Sequence, residues 1–263
     1  MQNRKLLDKC PMFLECFIVI NLAFLAVDVY IAHSINAFAH SAEWIPFVVS
    51  IAAVPLLLVA RIFGGTRANQ FTGVGVGSVS IVVGVVGMLY HLDSQFFANF
   101  TIRSLVYTAP FIAPLSFAGI GLLLIMHHTV QEESLEWGRW VLVMACAGYL
   151  GNFILSICDH AQNGFFDWRE WIPVYSSAMA VSFLMTAIVQ PRNASFLAFC
   201  VLILALNGLT GVVGFYLHLS ANLAAPAESL RESFLHGAPI LAPLLFPNLA
   251  LLGIIGIMGF SRK

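Results

Sequence analysis

Four histidines form the pattern in this sequence that is most typical of chemistry. A shift of 127 residues places His33 on His160 and His91 on His218. Imidazole is a common ligand of transition metals and a frequent axial ligand of haem. Most other differences between the two stretches exchange one apolar residue for another. Two histidines kept in both stretches therefore predict a polar site present twice.

The same shift aligns further residues and indicates a duplicated unit. Asn36 falls on Asn163 and Phe38 on Phe165, while Glu43-Trp44-Ile45-Pro46 falls on Glu170-Trp171-Ile172-Pro173. A shift of 129 aligns Ala109-Pro110 and Ala113-Pro114-Leu115 with Ala238-Pro239 and Ala242-Pro243-Leu244. We expect two units, residues 1–130 and 131–263, each forming a membrane repeat of four helices.

The composition indicates an integral membrane protein. Hydrophobic residues make up 60% of the 263 residues and charged residues 10%, far from the usual balance of a soluble globular domain. Apolar runs long enough to cross a hydrocarbon core of about 30 Å predict an all-α protein with about eight transmembrane helices. The predicted spans are 12–34, 45–63, 72–92, 104–128, 139–158, 171–190, 194–219 and 237–260.

The basic residues predict the orientation. With the N-terminus in the cytoplasm, the cytoplasmic side carries most of them, as the positive-inside rule requires. These residues are Arg4, Lys5, Lys9, Arg61, Arg67, Arg139, Arg192, Arg262 and Lys263. Arg103, Arg169 and Arg231 fall outside. Both termini are therefore expected in the cytoplasm and the two repeats are parallel, in the plasma membrane or, in a prokaryote, the inner membrane.

Three other interpretations of the sequence are set aside. A basic start followed by an apolar run and Ala37-Phe38-Ala39 has the form of a signal peptide, but cleavage there would remove the counterpart of a helix in the second unit. A net charge of −1 gives no indication of nucleic-acid binding. The five cysteines include no Cys-x-x-Cys motif and imply no disulfide framework.

This topology places all four histidines at the outer ends of the first and third helices of each unit. The first and third helices of a four-helix bundle are commonly diagonal partners, so His33 is expected to face His91, and His160 to face His218. Five nearby polar residues are predicted to orient the imidazoles. They are Asp28, Asn36, Asp93, Asp159 and Asn163.

Prolines and glycines recur near the same level. Pro110, Pro114, Pro239 and Pro243 each remove a backbone hydrogen bond and release the carbonyl four residues earlier, or serve as simple kinks. The Gly-x-x-Gly steps at 84/87 and 211/214 either allow tight helix packing or form a shelf for a flat macrocycle. Glu43 and Glu170, beside the Trp-Ile-Pro motifs, are interpreted as favourable charges at a helix start.

Three functions follow from these patterns. The favoured hypothesis is a redox subunit that binds b-type haem, iron or copper through the histidines, and exchanges electrons with a soluble partner or a quinone at the outer face. The second is a small-solute or ion transporter with its path between parallel repeats. The third is a membrane anchor or assembly factor, in which the histidines hydrogen-bond to loop carbonyls and bind no cofactor.

Overall fold

The computed structural model describes residues 9–190 and 193–260, which form helices and turns and no β-strand. Arg4, Lys5, Arg192, Arg262 and Lys263, used in the orientation argument, lie outside these residues. Apolar runs give the long helices their length. The helices are α1 Cys10–Ser34, α2 Trp44–Phe63, α3 Gly65–Asp93, α4 Phe96–Asn99, α5 Ile102–Tyr107, α6 Leu115–Thr129, α7 Leu135–Gln162, α8 Trp171–Val189, α9 Ala194–Ala224, α10 Leu230–His236 and α11 Leu245–Phe260.

Seven of these helices are long and apolar enough to cross a membrane. They are α1, α2, α3, α7, α8, α9 and α11. Three of the spans begin with a 3-10 turn: residues 41–43 before α2, 168–170 before α8 and 242–244 before α11. Helices of this kind indicate a multi-pass membrane protein, as the sequence predicted. The orientation of the termini and the identity of the membrane stay predictions.

The fourth predicted span, 104–128, is not a continuous transmembrane helix. It divides into α5, an irregular stretch at residues 108–114, and the 15-residue α6, which is about 22 Å long at 1.5 Å per residue. Pro110 and Pro114 lack an N–H, so two helical hydrogen bonds are lost within one turn, which accounts for the break. The sequence predicts that the last helix begins at residue 237. Near Pro239 and Pro243 it instead begins with the 3-10 turn Ala242–Leu244, which leads into α11.

The long helices lie in two groups in which neighbours follow the same order. In the first group α1 contacts α2, α2 contacts α3, α3 contacts α6 and α6 contacts α1. In the second, α7, α8, α9 and α11 make the corresponding contacts in the same order. The groups meet where α1 contacts α11 and α6 contacts α7. The first and third helices of each group are therefore diagonal to each other.

Glycines permit the closest approaches between helices. A Cβ atom on Gly77 of α3 would lie 2.7 Å from the carbonyl oxygen of Gly121 in α6, and one on Gly121 would lie 2.4 Å from the oxygen of Gly77. Real Cβ atoms essentially never approach other atoms this closely. The backbones of α3 and α6 therefore cross with no room for side chains between them, and the core lies between these helices, α1 and the second group.

Candidate functional site

The predicted histidines form two clusters at one end of the bundle. His33 and His160 lie in the last turn of α1 and α7, and His91 and His218 lie near the ends of α3 and α9. The rings of His33 and His91 meet edge to face, with centroids 6.2 Å apart. His160 lies close enough to His218 to interact electrostatically with it. The expected facing of His33 and His91 across the diagonal is therefore observed.

Glu43 completes the first cluster and Glu170 the second. The Nδ1 atom of His33 lies 3.7 Å from Oε2 of Glu43, and Nδ1 of His160 lies 3.6 Å from Oε2 of Glu170. The two carboxylate side chains are 13% and 11% exposed. We call His33, Glu43 and His91 the first cluster, and His160, Glu170 and His218 the second cluster.

One oxygen of each carboxylate accepts no hydrogen bond. Oε2 of Glu43 and Oε2 of Glu170 are buried and accept no hydrogen bond from any residue that the structure describes. A separation of 3.6 to 3.7 Å from the imidazole nitrogen exceeds a normal hydrogen bond. Leaving a buried acceptor unpaired, above all a charged one, costs free energy, so each cluster contains a group that gains from a positively charged or donating ligand.

A tight turn brings each glutamate back to its histidine. The backbone N–H of Phe38 donates to the carbonyl of His33, and that of Phe165 to the carbonyl of His160, both over 3.0 Å. Phe38 then stacks on Trp44 with ring centroids 4.0 Å apart, and Phe165 stacks on Trp171 at the same distance. Since Trp44 and Trp171 directly follow the glutamates, the stacking fixes where Glu43 and Glu170 lie.

The second histidine of each cluster is oriented by a proline carbonyl. Nδ1 of His91 lies 2.9 Å from the oxygen of Pro110, and Nδ1 of His218 lies 2.9 Å from the oxygen of Pro239. Because a carbonyl can accept but not donate, Nδ1 carries the proton in these contacts and Nε2 keeps its lone pair. Metal-binding histidines are commonly oriented in this way.

The next proline along the chain leaves those carbonyls without an α-helical hydrogen bond. Pro114 and Pro243 have no N–H to donate to the carbonyls of Pro110 and Pro239 four residues earlier, and each carbonyl instead accepts a turn hydrogen bond, from the N–H of Ala113 and of Ala242, beside its imidazole. The released carbonyls expected from the sequence thus contact histidines in both clusters. Other polar groups hold the prolines in place: Ala109 N–H donates to the Ser94 hydroxyl, and Ala238 N–H donates to Asn222.

Asn36 supports the first cluster through the glutamate. Its Nδ2 donates to Oε1 of Glu43 over 2.8 Å, and its Oδ1 accepts from the N–H of Phe38. Its counterpart Asn163 ends α7, where its backbone N–H donates to the carbonyl of His160. Asn36 therefore positions the carboxylate and not, as predicted, an imidazole.

The three predicted aspartates stand apart from the histidine contacts. Asp28 and Asp159 are half-buried on α1 and α7, and Asp93 is exposed at the end of α3. Among the described residues, none of them makes a hydrogen bond or ion pair to a histidine of either cluster.

A further aspartate, Asp167, precedes Glu170 in the chain. Asp167 caps the 3-10 turn at 168–170 and accepts hydrogen bonds from Arg169, which lower the pKa of Asp167 to about 2.

The glycine faces near the clusters are occupied by other parts of the chain. A Cβ on Gly84 would meet the amide nitrogen of Ala118 at 2.6 Å, and one on Gly211 would meet the oxygen of Pro243 at 2.4 Å. Gly87 and Gly214 contact Pro114 and Pro243. These positions therefore serve tight packing, and the shelf for a flat macrocycle is not present there.

The sequence argument missed Glu43 and Glu170 as members of the site. Both follow the first histidine of their unit by ten residues and both are retained under the 127-residue shift. That equal spacing was the available signal, but an acidic residue at a helix start has an adequate explanation without a site. The glutamates do sit at the N-caps of α2 and α8, so the two explanations apply together.

No group of three or more His, Cys, Asp or Glu side chains in the described residues already has positions suited to holding a metal ion. Comparison of the chain with models of protein families, with curated proteins and with solved structures gives no match.

Proposed function

We propose that the chain is a redox protein of the membrane that binds a transition-metal ion, iron or copper, at one or both clusters. The observation that carries the proposal is the buried, unpartnered Oε2 of Glu43 and of Glu170, 3.6 to 3.7 Å from an imidazole nitrogen in each cluster. Two histidines and one carboxylate are the donor set of many non-haem iron sites.

The separations are close to those between two ligands of one ion. Two donors each about 2.1 Å from one ion lie roughly 3.0 to 3.5 Å apart in octahedral or tetrahedral geometry. The His33 to Glu43 and His160 to Glu170 distances, 3.7 and 3.6 Å, exceed the upper end of that range by about 0.1 to 0.2 Å. Binding therefore requires a small inward movement of these side chains, which explains why their present positions do not form a metal-binding group.

Each residue of the first cluster then has a defined task. Glu43 supplies negative charge, and Asn36 holds its other oxygen. His91 presents Nε2 because its Nδ1 is engaged by Pro110. A bound iron or copper ion would supply one-electron chemistry. The second cluster contains the same donors with Glu170, His160 and His218.

The proposed site exchanges electrons at the outer face of a plasma membrane or bacterial inner membrane. Parallel four-helix repeats with both termini in the cytoplasm would place both clusters on that face, at the level of the bilayer surface. A soluble redox protein or a quinone in the lipid is the proposed partner. With both clusters at one end of the helices, the exchange occurs on one side and does not cross the membrane.

The test is metal analysis of detergent-purified protein together with a reduced-minus-oxidised absorption spectrum. We expect up to two iron or copper ions per chain, about half of the metal in Glu43→Gln, and none in the Glu43→Gln/Glu170→Gln double variant. His40→Gln is the control, because His40 lies in the same loop as Glu43 but outside the cluster.

Two results would contradict the proposal. A colourless protein without metal, even after growth with added iron and copper, would favour the transporter or the anchor. A Soret band lost in His91→Ala and His218→Ala would assign the clusters to b-type haem and not to a bare ion.

A further inference from the structure

A cavity lies at the end of the helices opposite to the clusters. It is formed by α1, α2, α3 and α6 and has a volume of about 160 Å³. Glu15 lines it and precedes His33 by 18 residues on α1, which is a distance of about 27 Å along the helix axis. The cavity is therefore separate from the first cluster by most of the thickness of a bilayer.

The surface of this cavity is mostly apolar, although Glu15, Arg61, Asn69, His127 and His128 also line it. Ile18, Val19, Leu57 and Leu124 supply the apolar surface. Leu58, which is 44% exposed, and Arg61 lie at the rim. An engineered apolar cavity of about 150 Å³ binds one benzene molecule, so this volume is suited to a single six-membered ring.

His127 gives the cavity a buried polar group with no partner. The residue is 9% exposed, and its Nδ1 forms no hydrogen bond within the described part of the chain. The ring of His128 lies beside it, with centroids 5.1 Å apart. The His128 ring in turn lies directly against Gly73 of α3, where it occupies the space that a Cβ atom would need.

The charges around the cavity cancel. Arg61 Nε lies 3.0 Å from the carboxylate of Glu15, and the two form an ion pair at the cavity. A charged ligand would have to compete with one partner of this pair. A neutral ligand with a carbonyl oxygen would instead accept a hydrogen bond from the imidazole of His127, and its ring would fit the apolar wall.

From these contacts we infer that the cavity binds the headgroup of a quinone that enters from the lipid. A one-ring dicarbonyl matches the volume, the apolar wall and the imidazole. The exposed Leu58 at the rim provides a route for an isoprenoid tail to run along the helix surface. This site does not depend on metal binding at the clusters, and the sequence argument placed a quinone at the other face.

The inference is tested by equilibrium binding of decylubiquinone to the full chain in detergent. We expect saturable binding of one molecule per chain, about tenfold weaker in His127→Leu, which corresponds to the loss of one hydrogen bond of roughly 1.4 kcal/mol. Val19→Phe, which fills the cavity from α1, should abolish binding while leaving His127 in place. His236→Leu, at the exposed His236 of α10, is the matched control and should bind normally.

The test separates this inference from the proposed metal function. Binding is expected to persist in Glu43→Gln/Glu170→Gln, so loss of metal and loss of quinone are independent results. Absence of saturable binding, or binding unchanged in both His127→Leu and Val19→Phe, would overturn the inference. Displacement of decylubiquinone by phosphatidylglycerol but not by phosphatidylcholine would assign the cavity to an anionic lipid and overturn it too. Folding of each variant is checked by gel filtration and circular dichroism.

Discussion

Residues with positive φ angles shape the turn after each first histidine. Ala37 and Phe38 have φ angles of 56° and 54°, and Gly164 and Phe165 have φ angles of 72° and 51°. The left-handed region costs an L-residue roughly 1 to 2 kcal/mol but costs glycine little. The stacking of each phenylalanine on the following tryptophan offsets part of this cost and places the glutamate beside the histidine.

The difference between Ala37 and Gly164 gives a prediction for stability. Ala37→Gly should raise the free energy of unfolding by about 0.5 to 1 kcal/mol, because the strain removed exceeds the added entropy of the unfolded chain. Gly164→Ala should lower it by about 1 kcal/mol. Both are measured by thermal or denaturant unfolding in detergent. Ala39→Gly is the control, because Ala39 is not among the positive-φ residues. An equal effect of Ala37→Gly and Ala39→Gly would contradict the account.

At the scale of the elements, the contact between α3 and α6 determines where the Pro110 carbonyl lies. Gly77 and Gly84 allow α6 to approach within backbone contact, and Gly87 receives the side chain of Pro114. Similar contacts join Gly211 and Gly214 of α9 to Pro243. The proline turn is thus held against the helix that carries the second histidine, and the histidine reaches its carbonyl without rearrangement.

A methyl group at Gly84 should disturb this arrangement. Gly84→Ala is expected to lower the free energy of unfolding by about 1 to 3 kcal/mol, because the added Cβ overlaps Ala118 and the carbonyl of Pro114. Gly75→Ala on the same helix meets nothing within 4 Å and should stabilise the helix by up to about 1 kcal/mol. Unfolding in detergent with both variants side by side makes the comparison. If the two variants had the same stability, the close contact would not matter energetically.

The sequence predicted most elements because long apolar runs have few alternatives in a membrane. It predicted that His33 and His91 would meet, since diagonal helices and a shared level leave little freedom. It failed at residues 108–114, where hydrophobicity continues but Pro110 and Pro114 break the helix. It also failed to assign Glu43 to the cluster, because the turn that returns the chain depends on the positive φ of Ala37 and Phe38, neither of which is a residue type that favours it.

On the scale of the whole molecule, an amide pair connects the two groups of helices. Asn21 of α1 donates through Nδ2 to Oδ1 of Asn248 in α11 over 3.2 Å, and Nδ2 of Asn248 donates in return to Oδ1 of Asn21. The amide of Asn21 also donates to the carbonyl of Phe17. A reciprocal amide pair between apolar helices favours one register, because sliding would break both hydrogen bonds between the two amides.

Removing one amide should cost more than removing both. Asn248→Leu is expected to lower the free energy of unfolding by about 1 kcal/mol, close to the values found for polar contacts between membrane helices. Asn21→Leu/Asn248→Leu should recover part of this loss, because no half-buried amide is then left without its partner. A double-mutant cycle of unfolding measurements in detergent gives the coupling energy. Strictly additive effects would show that the pair contributes nothing to the contact.

The short α6 has a consequence for the backbone that precedes it. Its 15 residues reach only about 22 Å, while a hydrocarbon core is about 30 Å thick, and the backbone of residues 108–114 needs partners that lipid tails cannot offer. Irregular backbone at this depth is tolerated where the protein itself supplies the partners. Here the N–H of Ala109 donates to Ser94, and the carbonyl of Pro110 accepts from the N–H of Ala113 and from His91. The contact that orients His91 thus also satisfies the backbone of a segment too short to cross a hydrocarbon core as one helix.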